Sequence, residues 1–167
     1  MLLVEPCTIQ HLEVLLRGKA AFVDAFGLTV APDYELTPEP LHYSLNGLQA
    51  GKALPRWWAH LFILNDSRTV IGIGGYKGNP DASGTVEIGY SIAPAYQNRG
   101  LGTEAAYTLV SRAFKDAVVQ TVQAHTLPHE NPSTRVLQKV GMVFAGEVVD
   151  PEDGPIWRWA KTQHPLN

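Results

Sequence analysis

The stretch Gln97-Asn98-Arg99-Gly100-Leu101-Gly102-Thr103-Glu104-Ala105-Ala106 decides the fold of this chain. Alternating apolar residues over Thr85–Ile92 predict a strand just before it, and apolar residues at helical spacing predict a helix over residues 101–117. Two glycines at a helix entrance leave backbone N–H groups uncovered, and these groups together with the helix dipole favour phosphate oxygens. The stretch therefore predicts a phosphate-binding turn between a strand and a helix.

Length and composition are typical of one globular domain. The chain has 167 residues, of which 45% are hydrophobic and 17% charged, so it can bury a full core. We expect a single domain over residues 1–167. The net charge is −3 and the 13 Lys and Arg residues are scattered, which argues against a nucleic-acid surface.

The single cysteine and the absence of long apolar runs indicate the compartment. Cys7 cannot form an internal disulfide, so we expect a buried thiol and a reducing environment. No apolar run approaches the roughly 20 residues of a membrane helix, and the first residues lack the plan of a signal peptide. We therefore expect a cytoplasmic protein that makes no membrane contact.

Hydrophobic periodicity predicts short helices first, then an antiparallel meander, then the order strand–helix–strand–helix–strand–strand. Four prolines interrupt residues 19–56 and leave only short helical turns there. Because neighbours on a strand face opposite sides, we expect one of Trp57 and Trp58 in the core and the other exposed. The predicted strands cover residues 2–4, 57–64, 69–76, 85–92, 118–126, 142–149 and 156–160, and the main helices residues 9–17, 101–117 and 131–140. This is a mixed α/β order.

Three interpretations of the glycine stretch compete. The first is that the glycines only shape a turn into a helix. The second is a dinucleotide fold, because Gly100 to Ala105 fits G-x-G-x-x-A after a strand. Two features oppose it: seven residues separate the strand from Gly100, and no acidic residue closes the next predicted strand. A P-loop is excluded, because no Gly-Lys-Ser/Thr follows.

The third interpretation is a family resemblance. Gln97, Gly100 and Gly102 match the Gln/Arg-x-x-Gly-x-Gly/Ala pyrophosphate loop of the GNAT N-acetyltransferase superfamily. The segment Glu87-Ile88-Gly89-Tyr90-Ser91-Ile92-Ala93-Pro94 resembles the strand before that loop. The segment from Glu130 to Met142 resembles a second cofactor segment, N-x-x-S-x-x-V-L-x-K-x-G-F, with its Asn one residue closer to its Ser and with Met for Phe. The resemblance covers residues 57–149, and is closest to the branch of ribosomal-protein N-terminal acetyltransferases.

The resemblance implies a fold and a reaction. The implied fold is one GNAT-like domain with a mostly antiparallel twisted sheet of about seven strands, flanked by helices and splayed in its middle strands. The implied reaction moves an acetyl group from acetyl-CoA to a primary amine of a protein N-terminus or a small molecule by direct attack, without a metal. A homodimer is one expected state of the chain. A non-catalytic sensor that binds CoA or acyl-CoA is the alternative from another class.

The resemblance also implies which residues bind acetyl-CoA. The diphosphate is expected on backbone N–H groups of residues 99–103, and the pantetheine arm is expected to pair with backbone groups of residues 91–93. Asn131 both caps a helix in our prediction and is a candidate to bind the pantetheine. The predicted cofactor-binding residues are Ser91, Ile92, Ala93, Gln97, Arg99, Gly100, Leu101, Gly102, Thr103 and Asn131.

Two side chains are the predicted catalytic residues. Glu87 is our candidate general base, because an attacking amine must be neutral and Glu87 shares a strand face with Gly89 and Ser91. The rival carboxylate, Glu104, has a structural explanation in the first helical turn. Ser133 is our candidate donor to the departing thiolate.

Two histidines flank the end of the strand predicted over residues 118–126. A spacing of four between His125 and His129 suits a metal pair only on a helix, so we assign no metal. His129 is a lower-ranked proton relay.

Overall fold

The computed structural model describes residues 1–163. We expected a single domain over residues 1–167, and residues 164–167 lie outside the described part. The elements follow the order predicted from periodicity. The strands are β1 (Leu2–Pro6), β2 (Thr29–Val30), β3 (Ala59–Leu64), β4 (Thr69–Tyr76), β5 (Thr85–Ile92), β6 (Thr121–Thr126), β7 (Val143–Asp150) and β8 (Gly154–Thr162), and the α-helices are α1 (Ile9–Arg17), α2 (Lys19–Phe26), α3 (Pro38–Gln49), α4 (Leu101–Phe114) and α5 (Pro132–Lys139).

The strands form one mostly antiparallel sheet, as expected. Its order is β1-β3-β4-β5-β6-β8-β7, and the two-residue strand β2 pairs with β4. Among the strand pairs of residues 1–163, only β5–β6 and β2–β4 are parallel. The sheet has one strand more than the expected number of about seven, and the additional strand is β2. This strand lies in the proline-interrupted region and is too short to produce a periodic pattern.

The middle of the sheet is splayed, as the resemblance implied. β5 and β6 pair over three positions, from Thr85↔Thr121 to Glu87↔Gln123. Beyond Glu87, β5 continues along β4 as far as Ile92, while β6 continues along β8 as far as Thr126. The two strands therefore diverge and leave a gap that opens toward the loop after β5.

A separate core lies on each face of the sheet. Val86 and Ile88 of β5 pack with Leu109 of α4 in one core. Leu12 of α1 and Phe22 of α2 pack with other buried side chains in the second core. Since side chains alternate along a strand, Glu87 points away from the core that holds Val86 and Ile88.

The prediction for the tryptophan pair is wrong, because both side chains are buried. Trp57 ends a 3₁₀ turn, Pro55–Trp57, and Trp58 follows it before β3 begins, so alternation along a strand does not apply. Trp57 packs edge-on against Tyr76, with 5.0 Å between ring centroids. Trp58 lies against α3, where Gly47 has no Cβ to occupy the space of the indole.

Several element boundaries also differ from the prediction. α3 begins at Pro38, so both Pro38 and Pro40 lie in a first turn that tolerates proline, and the helix is longer than predicted. α4 ends at Phe114 and β6 begins at Thr121. Between them, Asp116 Oδ1 accepts a hydrogen bond from Val118 N at 2.9 Å, which closes a turn where we predicted continuous structure.

Candidate functional site

A groove of about 1100 Å³ opens at the gap between β5 and β6. It runs from the loop before α4, past the start of α5, to the end of β7 and the start of β8. Most of the predicted site residues line it. They are Glu87, Ser91, Ile92, Gln97, Gly100, Gly102, Thr103, Asn131 and Ser133.

The side chains of three other predicted residues do not line the groove. Ala93 is fully buried, and its N–H donates to Ile71 O at 2.7 Å, so this N–H has no capacity left for a ligand. Arg99 places its guanidinium 5.1 Å from the ring centroid of Tyr96. Leu101 packs against the core beneath α4. The side chains of Arg99 and Leu101 therefore lie outside the groove lining, whereas their backbone N–H groups belong to the free donors of residues 98–103.

The loop before α4 carries free backbone donors. Within residues 1–163, no acceptor is found for the N–H groups of residues 98–103, and Glu104 N is the first to bond, to Gly100 O at 3.0 Å. Asn98 and Gly100 have φ of 61° and 78°, in the left-handed region. Such turns direct successive N–H groups into one concavity, and the N-terminus of α4 adds its positive dipole end.

The N-terminal segment holds the end of β5 and the start of this loop. Tyr34 places its hydroxyl 2.5 Å from Ser91 Oγ. Asp33 Oδ2 accepts a hydrogen bond from Ala95 N at 2.8 Å. Burial raises the pKa of Tyr34, and its hydrogen bond to Ser91 opposes that rise. These contacts come from the proline-interrupted region, where sequence patterns gave no signal for them.

Strand pairing determines which backbone groups of β5 face the gap. Glu87 O accepts from Lys77 N and Ala93 N donates to Ile71 O, so the odd-numbered residues of β5 direct their backbone groups to β4. Gly84 O accepts from Thr121 N on the other side. Because these directions alternate along a strand, the backbone groups of Tyr90 face the gap and those of Ser91 do not.

Glu87 lies at the last paired position before the gap and has three polar neighbours. Its Oε2 is 2.6 Å from Lys77 Nζ and 3.2 Å from His125 Nδ1, and its Oε1 accepts from Gln123 Nε2 at 3.1 Å. Burial by itself raises the pKa of Glu87, but the hydrogen bond and charge of Lys77, together with His125, outweigh it and leave the pKa below its ordinary value. Glu87 is therefore an anion at neutral pH.

Tyr90 lines the groove, and the sequence analysis assigns no role to its side chain. It lies on the face of β5 opposite Glu87, and its hydroxyl is buried with no hydrogen bond of good geometry to any described residue. Burial raises the pKa of the phenol, and the neighbouring Ser133 hydroxyl opposes that rise. The sequence places no tyrosine near Ser133 along the chain, so only the fold, which brings the start of α5 close to Tyr90, reveals this pair.

The first turn of α5 confirms the capping prediction. Asn131 Oδ1 accepts from Thr134 N at 3.0 Å, and Thr134 Oγ1 accepts from Asn131 N at 3.0 Å, which forms a reciprocal capping box. Further along the helix, Arg135 and Lys139 line the groove near the loop. Their spacing of four places both cations on one helix face, and this spacing can be recognised in the sequence alone.

Charge differs between the two ends of the groove. The end near the loop has Arg135 and Lys139, whereas the far end has three carboxylates, those of Glu87, Asp150 and Asp153, against the one ammonium of Lys77. Hydrogen bonds from Asp153 N and Glu152 N lower the pKa of Asp150. An anion therefore fits one end of the groove, and a cation fits the other.

The helices α1–α5 contain no run long and apolar enough to cross a bilayer.

Several known proteins are similar to the chain. The uncharacterized N-acetyltransferase YnaD of Bacillus subtilis (strain 168) is 40% identical over 58 residues, which are 35% of this chain and only 34% of that protein. The aminoglycoside acetyltransferase AAC(6')-Ib in complex with coenzyme A has a TM-score of 0.69 at 21% identity, covering 98% of this chain and 95% of that one. The ribosomal-protein-S5-alanine acetyltransferase from Vibrio fischeri has a TM-score of 0.67 at 15% identity, covering 96% and 92%.

These two solved structures share the fold and have nearly equal TM-scores, so the fold does not choose between their branches. The family model described as acetyltransferase (GNAT) domain matches residues 2–143 of this chain. That match includes the splayed strands, the loop with free N–H groups and the first turn of α5. The chain belongs to the GNAT acetyltransferase family.

Proposed function

We propose that the protein is an acetyl-CoA-dependent N-acetyltransferase that transfers the acetyl group to a primary amine by direct attack. The observation that carries this proposal is the groove itself, which has the free N–H groups of residues 98–103 at one end and the Glu87 carboxylate at the other. A polyanionic acyl carrier and a cationic amine fit these two ends.

The loop end is our site for the phosphates of acetyl-CoA. Backbone N–H groups of residues 98–103 supply donors, and Arg135 and Lys139 supply positive charge. Gln97 Nε2 donates to Ile92 O at 2.9 Å, which ties the loop to the end of β5. The pantetheine arm then lies in the gap between β5 and β6, with its thioester near Tyr90.

The chemistry requires a neutral amine, a stabilised oxyanion and a protonated thiol. Glu87 promotes removal of the amine proton from one face of β5. The Tyr90 N–H, which faces the gap, is our donor to the developing oxyanion, an interaction that can contribute about 3 kcal/mol. On the opposite face, the Ser133 hydroxyl, with the Tyr90 phenol beside it, donates to the departing thiolate.

The charge at the far end of the groove supports an amine as the acceptor. Asp150, Asp153 and Glu87 favour a protonated primary amine as it approaches. A protein N-terminus and a small-molecule amine both meet this requirement. For the setting, we propose the cytoplasm, since the single cysteine, Cys7, is a buried thiol, and a homodimer is compatible with the exposed edge strand β7.

A thiol-release assay tests the function. The protein is incubated with acetyl-CoA and a panel that contains peptides with free N-termini, polyamines, aminoglycosides and amino acids, and released CoA thiol is followed against reactions without amine. Release that depends on one amine class supports the proposal. CoA binding by calorimetry with no release on any amine would favour the sensor, and tight NAD(P) binding without CoA binding would contradict both.

A further inference from the structure

We propose that His125 receives the proton of the attacking amine, and that Glu87 acts on the reaction by positioning His125. This inference rests on the proposed acetyltransferase function and makes His125 a catalytic residue of the same groove. Glu87 becomes a positioning residue.

The sheet register places His125 beside the gap. Glu87 and Gln123 are the last paired residues of β5 and β6, and His125 follows Gln123 by two positions on the same strand face. His125 Nδ1 lies 3.2 Å from Glu87 Oε2. The His125 side chain is 23% exposed and lines the groove, so an amine in the groove has access to it.

Glu87 is poorly suited to accept the proton itself. Its Oε2 is shared by Lys77 and His125, and its Oε1 is occupied by Gln123. The pKa of the Glu87 carboxyl is below its ordinary value despite burial, because these donors favour the anion. A carboxylate held as an anion by these donors accepts a proton poorly, whereas the neighbouring His125 imidazole presents a ring nitrogen to the groove.

The ring of His125 is oriented so that one nitrogen is left for the substrate. Nδ1 faces the carboxylate, and Nε2 has no hydrogen-bond partner within the part of the chain that the structure describes. A carboxylate at one ring nitrogen fixes the tautomer in which the other nitrogen is the proton acceptor, and it stabilises the imidazolium that forms.

Charged groups from each neighbouring element surround His125. Glu87 on β5 and Asp150 on β7 are negative, and Asp153 follows in the turn before β8. Lys77 after β4 is positive and lies at the same end of the groove. Arg158 on β8 is the register partner of His125, but its Nε donates to Gln123 Oε1 at 2.8 Å.

Two protons leave the amine nitrogen during acetyl transfer. The ammonium form of the amine first gives one proton to His125 Nε2, and the neutral nitrogen attacks the thioester carbonyl as the C–N bond forms. The C–S bond then breaks, and the thiolate takes a proton from the Ser133 side of the groove. The nitrogen gives up its second proton through water to the Ser133 side, where it replaces the proton that the thiolate took. The imidazolium releases its proton to water, so that acetyl-CoA and an ammonium ion yield an amide, a thiol and one proton.

The test measures kcat/KM against pH for His125→Ala and His125→Gln, with circular dichroism to confirm folding. We expect both variants to lose about 10²-fold or more of kcat/KM near pH 7, with little change in the KM for acetyl-CoA. Added free imidazole should restore part of the activity of His125→Ala. It should not restore Glu87→Gln, which still has its own imidazole in the groove.

The matched control is His42→Gln, which changes an exposed histidine on α3 outside the groove and should keep full activity. Wild-type turnover combined with unchanged kcat/KM and pH profile in both His125 variants would overturn this inference while leaving the acetyltransferase function intact. Absence of turnover by the wild-type protein on every amine would instead be a failure of the proposed function.

Discussion

The Lys77 ammonium lies 2.6 Å from the Glu87 carboxylate, at the position where β5 and β6 stop pairing. Lys77 is more than half exposed, whereas the Glu87 side chain is 17% exposed, so the cation approaches the acid from the solvent side. Glu87 therefore keeps its negative charge at the mouth of the gap, although burial there favours the neutral acid.

We expect Glu87→Gln to lower kcat/KM by about 10²-fold near pH 7, because it removes the charge that assists deprotonation of the amine. Activity should recover partly at high pH, where the amine loses its proton unaided. The control Glu104→Gln makes the same chemical change in the first turn of α4, outside the groove lining, and should retain turnover. A ratio between wild type and Glu87→Gln that does not vary with pH would contradict this role.

We expect Gly102→Glu to weaken CoA binding by at least tenfold, because a carboxylate would occupy the phosphate end of the groove. Gly102→Ala should bind nearly as the wild type. Its Cβ would meet Ile92 Cγ1 at 3.6 Å and Val136 Cγ2 at 3.7 Å, which are ordinary contact distances. Calorimetric titration with CoA distinguishes the two variants, and equal affinity in both would remove the phosphate assignment.

We expect Tyr90→Phe to lower kcat without loss of stability. The Tyr90 hydroxyl is buried without a hydrogen bond of good geometry among the described residues, and its polar neighbour Ser133 is exposed to solvent, so removal of the hydroxyl strands no buried polar group. The free energy of unfolding should stay the same or rise by up to about 1 kcal/mol. Urea denaturation and steady-state kinetics on the same preparation check both parts. A clear loss of stability would mean that the hydroxyl has a structural partner after all.

Asn131→Ala should destabilise the protein by about 1 kcal/mol, because it removes the side-chain acceptor for Thr134 N at the start of α5. Asn131→Asp retains that acceptor and should stay close to wild type in urea denaturation. If Asn131→Ala lowers CoA affinity and Asn131→Asp does not, the cap orients the first turn of α5 toward the ligand.

His60 makes stability depend on pH. Burial lowers the pKa of His60 to about 4, whereas the hydrogen bond to Trp58 O partly opposes this shift. His60 binds a proton more readily in the unfolded chain than in the folded protein. Its contribution to the free energy of unfolding is therefore fully present above pH 6.5 and is lost as the pH falls toward 4. Between pH 7 and pH 5 this loss amounts to about 2 kcal/mol. Urea denaturation at both values should show it.

His60→Leu should remove most of that pH dependence, because the buried imidazole is replaced by an apolar side chain. Trp58 O keeps a second donor, Tyr76 N at 3.3 Å, so it is not left unpaired. The exposed His42 provides the comparison, and His42→Gln should keep the wild-type slope. An unchanged slope in His60→Leu would assign the effect to other groups.

Local patterns explain what the sequence could predict. The alternation along β5, the glycines before α4 and the Asn131-Pro132 helix start each lie within a few residues of one another, so propensity and periodicity were sufficient. The Trp57–Trp58 prediction failed because a 3₁₀ turn replaced the expected strand.

Other features of the site depend on contacts across the fold. Tyr34 reaches Ser91 from 57 residues away, and Tyr90 meets Ser133 only because α5 packs near β5. Such pairs leave no periodic signal in a single sequence. The direction of the Ser91 backbone groups also cannot be predicted from the sequence. It depends on the register of β5 against β4, which is a property of the folded sheet.

The short β5–β6 pairing divides the sheet into two blocks joined by three residue pairs. A pantetheine arm accommodated there would act as a removable ninth strand, completing hydrogen bonding across the seam. The free enzyme would then be the looser form, and each catalytic cycle would include a tightening of β6–β8 against β1–β5 when the carrier arrives and a loosening when it leaves.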